Sequence, residues 1–135
     1  MKKITIIFAV FILSGCFDSD SSEKVAAKSI ELGENTFNNN CAVCHGAEAK
    51  GLAKDWKKRQ EDGNYPAPPL NGTAHAWHHS PEVLLQTINE GGVELGGWMP
   101  PFKSKLSDEE KQSLLDYIQN LWPIEIQQKY NDRFK

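Results

Sequence analysis

A chain of 135 residues, 39% hydrophobic and 24% charged, has the composition of one small globular domain and excludes a disordered or fibrous protein. Its formal charge of −3 becomes −5 once Lys2 and Lys3 are removed with a leader (−3 − 2), which argues against nucleic acid as a partner. A domain of this size buries limited apolar surface by itself, so a large apolar group at its centre would add much to stability.

In chain order, Lys2-Lys3 and the mostly apolar run Ile4 to Leu13 read as the charged and hydrophobic parts of an export signal over residues 1–15. The run is too short to cross a bilayer. Leu13-Ser14-Gly15-Cys16 resembles the lipobox of bacterial lipoproteins, which implies that Cys16 is lipidated and becomes the first mature residue. The alternative is a plain signal peptide cut nearby, leaving Cys16 an unpaired thiol in an exported chain. Several acyl chains would anchor the protein stably to a membrane, where one chain binds only marginally. Residues 16–24 read as a flexible tether, since the run Asp18 to Lys24 is polar and without periodicity. A domain is expected over 25–123, with 124–135 as a C-terminal extension.

Ala26, Ile30, Gly33 and Phe37 recur at three- and four-residue steps and predict a first helix leading into Cys41. Glycine is costly in an exposed helix, so Gly33 predicts a close crossing by another helix. Asn38-Asn39-Asn40 is expected to loosen that helix before Cys41.

Cys41-Ala42-Val43-Cys44-His45-Gly46 carries the chemistry. Positions three and four apart share a helix face, so Cys41 and Cys44 can present thiols to the two vinyl groups along one porphyrin edge. His45 sits beside Cys41 on that face, placed to bind the iron axially, and C-x-x-C-H is the attachment signature of c-type haem. A thioredoxin-like redox pair would want a βαβ context, and a zinc site would want a second ligand pair.

From Gly46 to Tyr65 the chain is polar, with Lys50, Lys54, Lys57, Lys58 and Arg59 offset by Glu48, Asp55, Glu61 and Asp62. It reads as a solvated loop with a short helix, or as a basic patch for an acidic redox partner with Trp56 near a haem propionate. Pro66, Pro68 and Pro69 impose an extended path. A proline carbonyl there, Pro68 first and Pro69 in reserve, is expected to accept the second ring N–H of His45 and fix its tautomer. His75, His78 and His79 crowd the next stretch. They suggest a copper or zinc site or bis-histidine ligation, against a haem-edge loop whose imidazoles only hydrogen-bond.

Ser80-Pro81 predicts a helix start with Ser80 as cap, Leu84, Leu85 and Ile88 as buried face and Gly91-Gly92 as stop. In the glycine- and proline-shaped loop that follows, Met99 offers a soft thioether suited to haem iron, the alternative being a core gap-filler. Trp98 and Phe102 would wall the pocket. Ser107-Asp108-Glu109-Glu110 forms a capping box ahead of the stripe Leu114, Tyr117, Ile118, Leu121 and Trp122, the strongest helix signal in the chain. Pro123 stops it, and its aromatic stripe is the expected partner of the Gly33 and Phe37 face. Ile126, Tyr130 and Phe134 mark a short extra helix.

Together CAVCHG, the Pro68-x-Leu70-x-Gly72 spacing, the WMPPF around Met99 and DEEKQSLLDYIQNLWP resemble class I mono-haem bacterial cytochromes c over most of residues 28–123. The resemblance implies an all-α cytochrome c fold whose N- and C-terminal helices cross around one covalent haem c. It implies Cys41 and Cys44 as thioether anchors, and His45 and Met99 as axial ligands. The function implied is one-electron transfer with redox partner proteins on the periplasmic side of a bacterial membrane, by a carrier and not an enzyme. The 46–65 loop, the histidine-rich stretch and the C-terminal extension exceed the minimal family pattern. Two other functions stay open at this point: a gas sensor or peroxidase-like protein if Met99 is not a ligand, and a copper-handling protein using His75, His78 and His79.

Overall fold

The computed structural model describes residues 19–134, and the export signal and Cys16 lie outside them. Its elements are α1 (Ser19–Asn40), α2 (Ala42–His45), α3 (Pro81–Glu90), α4 (Asp108–Asn120) and α5 (Ile124–Phe134), joined by loops with three short 3-10 turns. No strand occurs among the described residues, so the all-α expectation holds.

The organising contact is the crossing of α1 and α4. A Cβ placed on Gly33 would lie 1.9 Å from the Ser113 carbonyl oxygen and 2.8 Å from the Tyr117 Cβ, so the helices touch backbone to backbone there. The crossing predicted from Gly33 is present, and the reason is steric: only a residue without a side chain lets the axes come so close. One turn on, Phe37 is fully buried, with its ring centroid 5.5 Å from that of Tyr117. On the other side the Ser29 hydroxyl donates to Asp116 Oδ2 at 2.6 Å and lies 3.1 Å from Ser113 Oγ. These bonds satisfy polar groups that the close approach takes from water.

The capping box of α4 is complete. Ser107 Oγ accepts from the Glu110 N–H at 3.2 Å, while Glu110 Oε2 accepts from the Ser107 N–H at 2.8 Å. Those bonds from Ser107 hold the Glu110 carboxyl below its ordinary pKa. Lys111 is buried, and its ammonium reaches Asn89 Oδ1 at 2.8 Å and Asp108 Oδ1 at 2.7 Å. That tie fastens α4 to the end of α3. The Trp122 indole N–H donates to the Leu70 carbonyl at 2.7 Å, joining the end of α4 to the strip after the prolines.

Four local expectations are corrected. First, α1 begins at Ser19, so the segment expected as a tether is helical from there, although residues 21–28 remain exposed. With no Gly or Pro to stop it and Glu23 near the positive end of the dipole, a helix nucleated by packing further on propagates outward. Second, Asn38 to Asn40 stay helical; the Asn40 side-chain amide bonds back to the Thr36 carbonyl at 3.0 Å. Third, Ser80 sits at the cap position of α3 without a capping bond, because its side chain pairs with the Glu82 carboxylate and lowers that group's pKa. Fourth, α5 is no appendage: Tyr130 is 1% exposed, its ring centroid 4.9 Å from those of both Trp122 and Phe134.

Candidate functional site

The Cys41 to His45 segment follows α1 after a break at Cys41. The Cys41 N–H donates to the Phe37 carbonyl at 2.8 Å, and the His45 N–H to the Cys41 carbonyl at 2.9 Å. Cys41 and Cys44 are both free and half-buried on that turn. Burial first, and the neighbouring Cys44 second, push the Cys41 thiol up to about 11. It is therefore a neutral thiol at pH 7, the form that is slow in disulfide exchange.

His45 is buried, and its Nδ1 lies 2.9 Å from the Pro68 carbonyl oxygen. Burial lowers its pKa while the Pro68 bond works the other way. A neutral ring with Nδ1–H on a carbonyl keeps the Nε2 lone pair free for a metal. The loop after His45 returns at once, with the Gly51 N–H on the His45 carbonyl at 2.6 Å and the Leu70 N–H on the Ala49 carbonyl at 2.8 Å. These bonds bring the proline strip alongside the imidazole.

His45 opens onto a small apolar cleft of about 80 Å³ that Met99 also lines. Leu70, Ala76, Leu84, Thr87 and Ile88 form its walls together with Leu115 and Ile118 of α4. One strong nitrogen donor and one soft sulfur donor thus share a cleft whose other polar side chain, Thr87, donates its hydroxyl to the Val83 carbonyl at 2.9 Å. The donor set and the apolar lining fit a haem whose thioethers would form at Cys41 and Cys44, with His45 and Met99 as the groups that would hold its iron.

Other expected residues lie elsewhere. Trp98 is 42% exposed and does not line the cleft, because its indole N–H is taken by the Tyr65 carbonyl at 2.7 Å. Phe102 is buried but packs in the core rather than on the cleft wall. Trp56 stacks on His75, centroids 5.3 Å apart, with the Lys57 ammonium 5.4 Å from its ring. Pro68 offers its carbonyl; Pro69 packs against Gly51. The three crowded imidazoles do not converge: His78 stacks on Trp77, while His75 meets His79 edge to face at 5.6 Å. Among the described residues no group of three or more His, Cys, Asp or Glu side chains can hold a metal ion. Leu115 was missed by sequence reasoning, although it shares a face with Ile118 and Trp122 at i+3 and i+7 and a helical projection would have found it. Ala76 carried no such signal, since it lies in an irregular loop.

An all-α fold of crossed helices, a C-x-x-C-H turn and a His/Met-lined cleft define a class I c-type cytochrome, whose cofactor is one covalently bound haem c. Residues 28–118 match the family described as cytochrome c oxidase, cbb3-type, subunit III, and the chain belongs to it. It is 35% identical over 114 residues to the cbb3-type cytochrome c oxidase subunit CcoP of Azospirillum brasilense, covering 84% of this chain and 34% of the relative. It is 31% identical over 98 residues to the subunit FixP of Sinorhizobium medicae (strain WSM419), covering 68% of this chain and 30% of that one. The chain thus spans about a third of the length of these curated relatives. No solved structure matches it. Among the described residues no helix is long and apolar enough to cross a membrane.

Proposed function

We propose that this chain is an extracytoplasmic one-electron carrier, held at a bacterial membrane by a lipid on Cys16 and exchanging electrons with a terminal oxidase or its donor. The observation that carries the reading is the sharing of one apolar cleft by His45 and Met99, with His45 Nδ1 fastened to the Pro68 carbonyl. Haem supplies reversible one-electron chemistry when bound. The chain's own residues do the rest. Cys41 and Cys44 would hold the ring covalently, His45 Nε2 and Met99 Sδ would hold its iron, and the leucine and isoleucine walls would keep water away. With His45 and Met99 both holding the iron, no substrate would reach it, and the chemistry supplied would be outer-sphere electron transfer. A His/Met pair favours ferrous iron and raises the potential.

The oxidase named by the relatives supports a respiratory partner. The exposed Lys54, Lys57, Lys58 and Arg59 give an otherwise acidic chain a local basic face for an acidic redox partner. The ferric holoprotein is expected to be low-spin with the weak far-red thioether band, and the ferrous form to resist carbon monoxide. Met99→Ala should open the site, bind carbon monoxide and lower the potential. A wild-type protein that is high-spin, or that binds carbon monoxide readily, makes Met99 core packing and ends the carrier reading.

A further inference from the structure

Met99 reaches the cleft at the end of a small closed loop that begins where α3 stops. The Leu95 and Gly97 N–H groups donate to the Gly92 carbonyl at 3.1 and 2.8 Å, and the Gly92 N–H donates to the Met99 carbonyl at 2.9 Å. Gly91 presses on the same stretch. Its φ is +81°, and a Cβ there would lie 2.5 Å from the Met99 carbonyl oxygen and 3.0 Å from both Pro100 C and Pro101 N. All three atoms are backbone, and two successive prolines deny that backbone room to swing aside. Gly91 is therefore a fastener against which the Met99 peptide is seated.

A second fastener comes from the other side. The Trp98 indole N–H donates to the Tyr65 carbonyl at 2.7 Å, across 33 positions of sequence. Trp98 is 42% exposed, so partial burial alone holds its ring loosely and the hydrogen bond must orient it. Tyr65 is itself braced: the Arg59 guanidinium lies 4.3 Å from its ring centroid and donates to the Gly63 carbonyl at 2.5 Å. Arg59 and Tyr65 both belong to the polar 46–65 loop.

The geometry points to Gly91 and Trp98 as positioning residues for Met99, clamping its backbone between the end of α3 and the 46–65 loop so that its sulfur stays on the iron. The inference rests on Met99 being an axial ligand. A methionine side chain has three rotatable bonds and little shape of its own, so the placement of its sulfur is only as firm as its backbone. Loosening either fastener raises the fraction of molecules with the sulfur off. The potential then falls, because the thioether favours ferrous iron. The clamp also links the segment offered to a redox partner with the ligand that sets the potential, through the single Tyr65–Trp98 bond.

The test uses the holoprotein and three readouts: the far-red thioether band, carbon monoxide binding to the ferrous form, and the potential by redox titration. Gly91→Ala is expected to lose most of the band and to bind carbon monoxide. Trp98→Phe keeps an aromatic ring and removes the donor along with the pyrrole half of the indole, which is partly exposed. It should bind carbon monoxide about three- to tenfold more readily, the worth of one net hydrogen bond, with a lowered potential. Gly96→Ala is the control: the same loop and a similar φ of +78°, but nothing within 4 Å of the added methyl. It should retain the band and resist carbon monoxide. If Gly91→Ala fails to keep haem, Trp98→Phe decides alone. A wild type without the band removes the ligand reading and this inference with it. A wild type with the band, and Gly91→Ala and Trp98→Phe both behaving like Gly96→Ala, overturns the clamp and leaves the ligand in place.

Discussion

The α1–α4 crossing makes Gly33→Ala a decisive perturbation. Ordinary contact for a Cβ begins near 3.4 Å, whereas here it would meet the Ser113 carbonyl oxygen at 1.9 Å, so the helices must part by about 1.5 Å (3.4 − 1.9). The obstacle is the main chain of α4, which has no rotamer to escape into. Parting the helices loosens Phe37, Leu114 and Tyr117, all buried on that face, and a gap of even 0.5–1 Å forfeits a quarter to a half of a contact's attraction. Overpacking of this kind costs roughly 1–3 kcal/mol and belongs at the upper end here, while alanine returns about 1 kcal/mol of helix propensity. The expected net is a loss of about 2 kcal/mol. For a domain of this size that is a fall of roughly 8 °C in Tm, measured on the holoprotein by circular dichroism. A variant with unchanged or raised Tm would refute the reasoning, since it would show that propensity outweighs the contact and that the helices do not touch at Gly33.

Other outcomes follow from the same description. Replacing both Cys41 and Cys44 with alanine should leave haem extractable by acid acetone, and covalent haem in that variant would overturn their assignment as anchors. Tyr130 is buried, and its hydroxyl has no hydrogen-bond partner among the described residues. Burial pushes it up to about 12 from an ordinary value near 10, so the folded state favours the protonated form. That stability is fully present below pH 10 and is lost as pH rises toward 12, because the unfolded chain ionises first. Tyr130→Phe should flatten this alkaline limb in urea titrations and be neutral or stabilising at pH 7, by up to about 1 kcal/mol; a loss above that would mean the hydroxyl has a partner. Mass spectrometry of the mature amino terminus should find acylated Cys16, and an unmodified start at Phe17 or later would end the lipid-anchor reading.

Much of the fold was legible because it depends on local periodicity and on one steric signal. The 3.6-residue stripes placed α1, α3 and α4, and Gly33 named the crossing because a glycine inside a strong helix needs a compensating contact. The capping box of Ser107 and Glu110 was legible for the same reason: both partners lie within one turn. What failed involved partners distant in sequence. Trp98 was assigned to the pocket from its neighbourhood to Met99, yet Tyr65 claims its N–H. The α5 helix read as an extension, since nothing local announces that Tyr130 will be buried against Trp122. Ser80 had the right residue type and cap position, but Glu82 competes for its hydroxyl.

By itself the sequence determined the chemistry of attachment, because two thiols and an imidazole on one helical turn are a matter of spacing within five residues. It also determined the all-α class, since periodicity is a local property. Only the tertiary structure decided that His45 and Met99, 54 positions apart (99 − 45), open onto the same cleft, and that the crowded imidazoles of His75, His78 and His79 pair with aromatic rings and with each other instead of converging on a metal. The physical reason is that a residue's type and spacing fix what a side chain can do, while its partner is set by which backbones the helix crossing and the proline strip bring within a hydrogen bond's length.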